Sequence, residues 1–174
     1  MLTQNINLSR FGIKKNHFKT KIFIKKTLKK YSNNKFFQSL SNNYVYSFSK
    51  KKILKYKKFR NFNIIGMGGS SLGIEAIYNF LSFKIKKKFY FYNNIDSNKF
   101  LKKKKIKILN IIISKSGNTI ETISNFNILN NKKNNLFISE KSNNYLKKIA
   151  NKLKCEILEH RNYIGGRYSV LSEV

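Results

Sequence analysis

Three short stretches of this chain have the residue types that hold and polarise an anionic ligand. In Gly66–Gly73, GMGGSSLG, glycines and serines follow an apolar run and lead into a helix pattern. In Ser114–Thr119, SKSGNT, two serines, a lysine, an asparagine and a threonine stand at the start of a second helix pattern. Gly165-Gly166-Arg167 comes near the end. Backbone N–H groups left over at a strand-to-helix turn, together with the positive end of the helix dipole, form a site for phosphate or another anion. Hydroxyls and a lysine in the same turn suit a phosphate monoester, donating to its oxygens and balancing its charge. An arginine behind two glycines offers a permanently charged, planar guanidinium, which suits oxyanion charge that develops during a reaction.

Each stretch has competing readings. Taken alone, Ser114–Thr119 also reads as an ordinary capped helix, with Ser116 or Asn118 as the cap and Glu121 in the first turn. Paired with the first turn at a neighbouring strand end, the phosphate reading overtakes it. Gly66–Gly73 misses the dinucleotide fingerprint because Ser71 stands where the third glycine should be. It misses the P-loop because Ile74, not lysine, follows Gly73. Gly69-Ser70-Ser71-Leu72-Gly73 does satisfy the G-x-S-x-G nucleophile elbow, with Asp96 and His160 later in hydrolase order. Roles and geometry define a triad, however, and a five-residue pattern with three fixed positions recurs by chance.

Strands and helices must hold these turns in place. Phe62–Gly66 reads as a buried strand, and Leu72, Gly73, Ala76, Ile77, Phe80 and Leu81 share one helical face after it. Lys88–Ile95, Ile106–Ser114, Leu136–Ser139 and Cys155–Glu159 read as four further strands, with helices over about 119–130 and 143–153. Strands alternating with helices predict a parallel sheet covered on both faces, an α/β fold whose ligands sit at the carboxyl ends of the strands. Both polar turns fall at those ends. Residues 1–60 read as a basic, helical lead-in with Ile24, Leu28 and Tyr31 as its best apolar set, packing against the sheet that follows. His17 has no metal-ligand partner nearby in sequence, so a surface histidine is expected.

The net charge is +30: Lys and Arg total 37 against 7 acidic residues, and only Arg10, Arg60, Arg161 and Arg167 are arginine. A basic surface of this kind draws in anions. It is a weaker argument for nucleic-acid binding, because lysine is scattered through the whole chain while arginine, the better base and phosphate reader, is scarce. Lys, Asn, Ile, Phe and Tyr are all abundant and all have AT-rich codons, so genome bias accounts for the profile. No window approaches the ~18 apolar residues of a membrane span. Cys155 is the only cysteine. It cannot form an internal disulfide, so a reducing, cytoplasmic setting is expected.

The chain resembles the N-terminal part of the glucose-6-phosphate isomerase family, within the sugar isomerase (SIS) domain superfamily. Four ordered pieces between about residues 61 and 174 carry the resemblance: IGMGGSSLG at Ile65–Gly73, NID at Asn94–Asp96, ISKSGNTIET at Ile113–Thr122, and GGRYSVLSEV at Gly165–Val174. The resemblance implies an SIS-type five-stranded parallel sheet flanked by helices in a three-layer αβα sandwich. It implies a SIS domain over 61–160, and a 161–174 segment leading into a C-terminal half that this sequence lacks. It also implies interconversion of glucose 6-phosphate and fructose 6-phosphate through an enediolate. Ser114, Lys115, Ser116 and Thr119 match the family's phosphate-binding turn, and Gly69 and Ser70 its sugar-phosphate loop. Gly166 and Arg167 match the pair beside the reacting carbons, with the arginine stabilising the enediolate. Neither metal nor organic cofactor is implied. The partners implied are the phosphosugar, and a second copy or a complementing C-terminal half; neither a specific nucleic acid nor a membrane is among them.

The family's carboxylate base, histidine and lysine lie beyond the matched arginine motif. The acidic residues present are Glu75, Asp96, Glu121, Glu140, Glu156, Glu159 and Glu173. None occupies the base position, and His160 precedes the motif. A phosphate grip without a base gives binding with little turnover. A non-catalytic SIS module that binds a phosphosugar therefore stands as the alternative, with a basic nucleic-acid-binding protein behind it.

Overall fold

The computed structural model describes residues 17–32, 34, 35, 39, 42–95, 107–129 and 134–174. The chain divides into two compact units, Met1–Ser41 and Asn42–Val174. The first contains α1 (His17–Tyr31), whose last turn holds Lys29 and Lys30, favourably placed at the negative end of the helix dipole.

The second unit runs α2 (Lys50–Leu54), β1 (Asn61–Ile65), α3 (Leu72–Leu81), β2 (Lys88–Tyr92), β3 (Ile108–Ile113), α4 (Ile120–Leu129), β4 (Asn135–Glu140), α5 (Tyr145–Lys152) and β5 (Glu156–His160). All five strands are parallel, in the order β2-β1-β3-β4-β5. Largely apolar runs such as NFNII and ILNIII form the central strands because both faces of a parallel sheet are covered. Phe62, Ile64, Leu109, Ile113, Leu136, Ile138 and Leu158 build the core on one face, with Phe59 and, from α3, Ile74. Ile65, Ile112 and Phe137 build the other with Phe126 of α4 and Leu146 and Ala150 of α5. The second unit is thus an α/β sandwich of three layers.

A polar seam crosses the second face. Asn63, Asn110 and Asn135 are in register on β1, β3 and β4. Asn63 Nδ2 donates to Asn110 Oδ1 at 2.9 Å, and Asn110 Nδ2 donates to Asn135 Oδ1 at 3.0 Å and to the Leu129 carbonyl at 3.1 Å. A one-residue slip would throw any of these amides onto the opposite, apolar face, so the seam fixes the register.

The structure departs from the sequence reading at two places. The division falls between 41 and 42 rather than after 60, because residues 44–59 are fastened to the sheet unit. Phe59 lies in its core, Tyr56 Oη donates to Glu156 and Ser47 Oγ to the Glu159 carbonyl. On α3, the apolar set read as one face is largely outward: Leu72, Ala76, Ile77 and Phe80 are exposed. Ile74 and Tyr78 meet the sheet instead, the Tyr78 ring lying 5.0 Å from Phe89 and 5.9 Å from Phe91. With apolar residues on more than one side of the helix, periodicity alone cannot say which side is buried.

Candidate functional site

In the strand order β2-β1-β3-β4-β5 the chain leaves β1 toward one edge of the sheet and β3 toward the other. The gap between the carboxyl ends of β1 and β3 is therefore the topological switch point, where open α/β sheets leave a crevice for ligands. The two polar turns are the loops that follow these two strands.

After β1, Met67 is extended and Gly68–Ser70 makes one 3-10 turn into α3. The Ser70 amide donates to the Met67 carbonyl at 3.2 Å and the Ser71 amide to Gly68 at 3.1 Å. Those two N–H groups are spent inside the turn. Ser70 is 9% exposed and Ser71 not at all, with its Oγ at 3.5 Å from the Gly68 carbonyl. A nucleophile must reach its substrate, so the burial of Ser71 removes the hydrolase reading. Asp96 lies outside the described residues.

After β3, the turn is tied together from within. Ser114 Oγ and Thr119 Oγ1 are 2.8 Å apart, and the Gly117 amide donates to both the carbonyl and the hydroxyl of Ser114, each at 3.1 Å. The Ile123 amide donates to the Thr119 carbonyl at 3.0 Å, which makes Thr119 the residue capping α4. The amides of Ile120, Glu121 and Thr122 then come too early for an intrahelical acceptor and point out of the helix end. Neither Ser116 nor Asn118 is the cap that the sequence suggested. Asn118 Oδ1 accepts from the Tyr145 amide at the start of α5, at 3.0 Å, and the exposed Ser116 accepts weakly from the Asn118 amide at 3.4 Å. Half-buried Lys115 donates from Nζ to the Asn162 carbonyl at 2.8 Å, joining this turn to the segment before Gly165.

Gly166–Leu171 forms a 3-10 turn, held by Ser169 Oγ donating to the Gly166 carbonyl at 2.7 Å. Its backbone lies directly against Gly69: a Cβ there would come within 2.6 Å of Arg167 Cα. Gly69, Gly166 and Arg167 are thus brought together, and Arg167 itself is exposed. Ser114, Lys115, Ser116 and Thr119 sit at the adjoining strand end, bridged to the same segment by the Lys115–Asn162 bond.

The cluster that anchors the arginine segment was not legible in the sequence. Glu173, fully buried in its side chain, accepts from Tyr44 Oη at 2.8 Å and from the Ser47 amide at 3.3 Å, and pairs with Arg161 Nε at 3.6 Å. Burial, then the carboxylate beside it, pushes the Tyr44 phenol well above its ordinary range. Tyr44 and Glu173 are 129 residues apart, so no spacing rule links them. His160, 2% exposed at the end of β5, lies with Nδ1 at 2.9 Å from the Arg161 carbonyl, while its buried Nε2 has no partner among the described residues. Burial lowers its pKa, and the nearby Lys115 adds to this against the opposing pull of the Arg161 carbonyl, Glu173 and Glu140. Among the described residues no group of His, Cys, Asp and Glu could hold a metal, and no helix is long and apolar enough to cross a membrane.

The family model described as phosphoglucose isomerase matches residues 43–174. A probable glucose-6-phosphate isomerase of Methanococcus maripaludis is 39% identical over 134 residues, 68% of this chain and 31% of that protein. The glucose-6-phosphate isomerase of Borreliella afzelii is 35% identical, over 80% of this chain and 31% of its own length. The chain therefore spans about a third of the curated relatives it matches. By fold it is similar to a hypothetical protein of Thermus thermophilus, with a TM-score of 0.67 at 17% identity over 90% of this chain and 42% of that one. It is also similar to the tagatose-6-phosphate ketose/aldose isomerase of Escherichia coli, with a TM-score of 0.52 at 14% identity over 84% and 40%. Since the matched residues 43–174 take in most of the chain and all three turns at the carboxyl edge of its sheet, the chain belongs to the phosphoglucose isomerase family.

Proposed function

We propose that this chain supplies the phosphate grip and the enediolate-stabilising arginine of a glucose-6-phosphate isomerase, which interconverts glucose 6-phosphate and fructose 6-phosphate in cytoplasmic sugar metabolism. In this reading the hydroxyls of Ser116 and Thr119, the Lys115 ammonium and the first amides of α4 hold the phosphate, with the buried Ser114 hydroxyl, 2.8 Å from Thr119 Oγ1, supporting them from behind. Gly69 and Ser70 border the sugar. Arg167, with the Gly166 backbone, faces the reacting carbons and stabilises charge on the enediolate oxygens. The observation that carries it is the meeting of all three segments at the β1/β3 switch point, with Gly69 against Arg167 and Lys115 bound to Asn162.

Proton transfer between the two carbons needs a base within hydrogen-bonding reach. Glu75 is engaged by Asn93 and Glu173 by Tyr44, Ser47 and Arg161, which leaves neither poised for that work. The base belongs, in this proposal, to the two thirds of the family's length that this chain does not span. A second copy or a complementing polypeptide would then complete the site.

Calorimetric titration tests the grip. Fructose 6-phosphate should bind and fructose should not, since the phosphate carries most of the attraction. Ser116→Ala with Thr119→Ala should weaken binding by more than tenfold, charge-assisted hydrogen bonds being worth ~1.5–3 kcal/mol each. Equal binding of fructose, or an unchanged affinity in the double variant, would sink the proposal.

A further inference from the structure

The turn that follows β3 is held from outside as well as from within, by a residue at the start of α5. Asn144 is 3% exposed. Its Oδ1 accepts from the Lys147 amide at 2.9 Å, capping α5, while its Nδ2 faces Ser139 Oγ at 2.9 Å, Ser142 Oγ at 3.1 Å and the Glu140 carbonyl at 3.3 Å. Ser139 Oγ passes the connection on, donating to the Lys115 carbonyl at 3.3 Å, and the Glu140 amide donates to the same carbonyl at 3.0 Å. The amide plane of Asn144 also fills the space where a side chain at 117 would go. Gly117 has φ +68°, and a Cβ there would come within 2.6 Å of Asn144 Nδ2. The next two residues of α5 complete the clasp: the Leu146 amide donates to the Gly117 carbonyl and the Tyr145 amide to Asn118 Oδ1, each at 3.0 Å.

From this geometry we infer that Asn144 is a positioning residue for phosphosugar binding, setting the backbone of Lys115–Asn118 before the ligand arrives. It touches no ligand. Its effect comes through Ser139 and the Lys115 carbonyl on one side and through the left-handed Gly117 on the other. A turn fixed beforehand does not lose freedom on binding, and that saving appears as affinity. Capping explains only the Oδ1 contact; the Nδ2 donation to Ser139 and the packing under Gly117 serve the turn. The inference rests on the proposal that this turn binds the phosphate.

Asn144→Ser separates the two duties. Serine is neutral and caps helices well, but it is too short to reach Ser139 and to support Gly117. The variant should keep its melting temperature within a few degrees while its affinity for fructose 6-phosphate falls fivefold or more. In the ligand-free protein the Leu146 amide, bonded to the Gly117 carbonyl, should exchange with deuterium at least tenfold faster. Unchanged affinity together with unchanged exchange overturns the inference. If the parent chain binds no fructose 6-phosphate, the phosphate reading fails, and exchange at Leu146 still decides whether Asn144 holds the turn. Should Asn144→Ser not fold, Ser139→Ala cuts the same connection from the strand side and should reproduce the loss of affinity.

Discussion

Gly69 and Gly166 touch backbone to backbone: a side chain on Gly69 would run into the Gly166 carbonyl group and the Arg167 Cα. The glycine in the first turn is thus what allows the arginine segment to seat against it. Gly69→Ala should push Gly166–Arg167 outward at a cost of ~1–3 kcal/mol, typical of overpacking in a closely packed region. Fructose 6-phosphate affinity should fall with it, and urea denaturation with calorimetry would read both effects. Full stability with full affinity would mean that the two segments separate freely and that their contact does not position Arg167.

The asparagine seam makes a different demand, on stability alone. Asn110→Leu would strand the buried Asn63 Nδ2, at ~1–3 kcal/mol for an unsatisfied group. Asn63 sits in the middle of β1, before Gly66 opens the first turn, so the ligand site lies beyond its reach. The expected outcome is a clear drop in the denaturation midpoint with affinity within twofold of the parent. A stability unchanged by Asn110→Leu would show that the seam is not held by its hydrogen bonds.

What could be read from the sequence was local. Strands β1 and β3 announce themselves as mostly apolar runs, each interrupted by an asparagine, because a parallel sheet buries both sides of NFNII and ILNIII. The turns after them announce themselves by glycine, serine and lysine. What could not be read depends on residues far apart in the chain. Tyr44 with Glu173, Asn144 under Gly117 and Asn118 accepting from the first amide of α5 instead of capping α4 obey no short-range spacing. The apolar stripe of α3 failed for a related reason: its period was right, but only the sheet decides that Ile74 and Tyr78, not Leu72 and Phe80, turn inward.

The charge of +30 makes salt a discriminating variable. A phosphosugar held by a few groups in one turn should lose less than tenfold in affinity between about 50 and 200 mM salt. A nucleic acid neutralised by many lysines would lose roughly 10³–10⁵ over that range. Ser114→Ala with Ser116→Ala should abolish the first kind of binding and leave the second untouched. Tight RNA binding that survives both substitutions, without phosphosugar binding in the parent chain, would transfer the function to the lysine surface.

His160 gives the fold its own pH dependence. Its ring is buried, Nε2 lacks a partner among the described residues, and burial holds its pKa below the ordinary 6.5. Below pH 6.5 the unfolded chain takes up a proton that the folded chain refuses, so the unfolded state gains. Stability contributed by the neutral ring is therefore complete above about pH 6.5, drains away as the pH falls toward the depressed folded pKa, and levels off beneath it. Melting temperature followed from pH 7.5 to 5 should decline in the parent chain and decline less in His160→Gln. The measurement belongs in ligand-free solution, because a phosphate monoester takes up its own proton near pH 6. Parallel profiles for the two proteins would mean that His160 is protonated as easily in the fold as outside it.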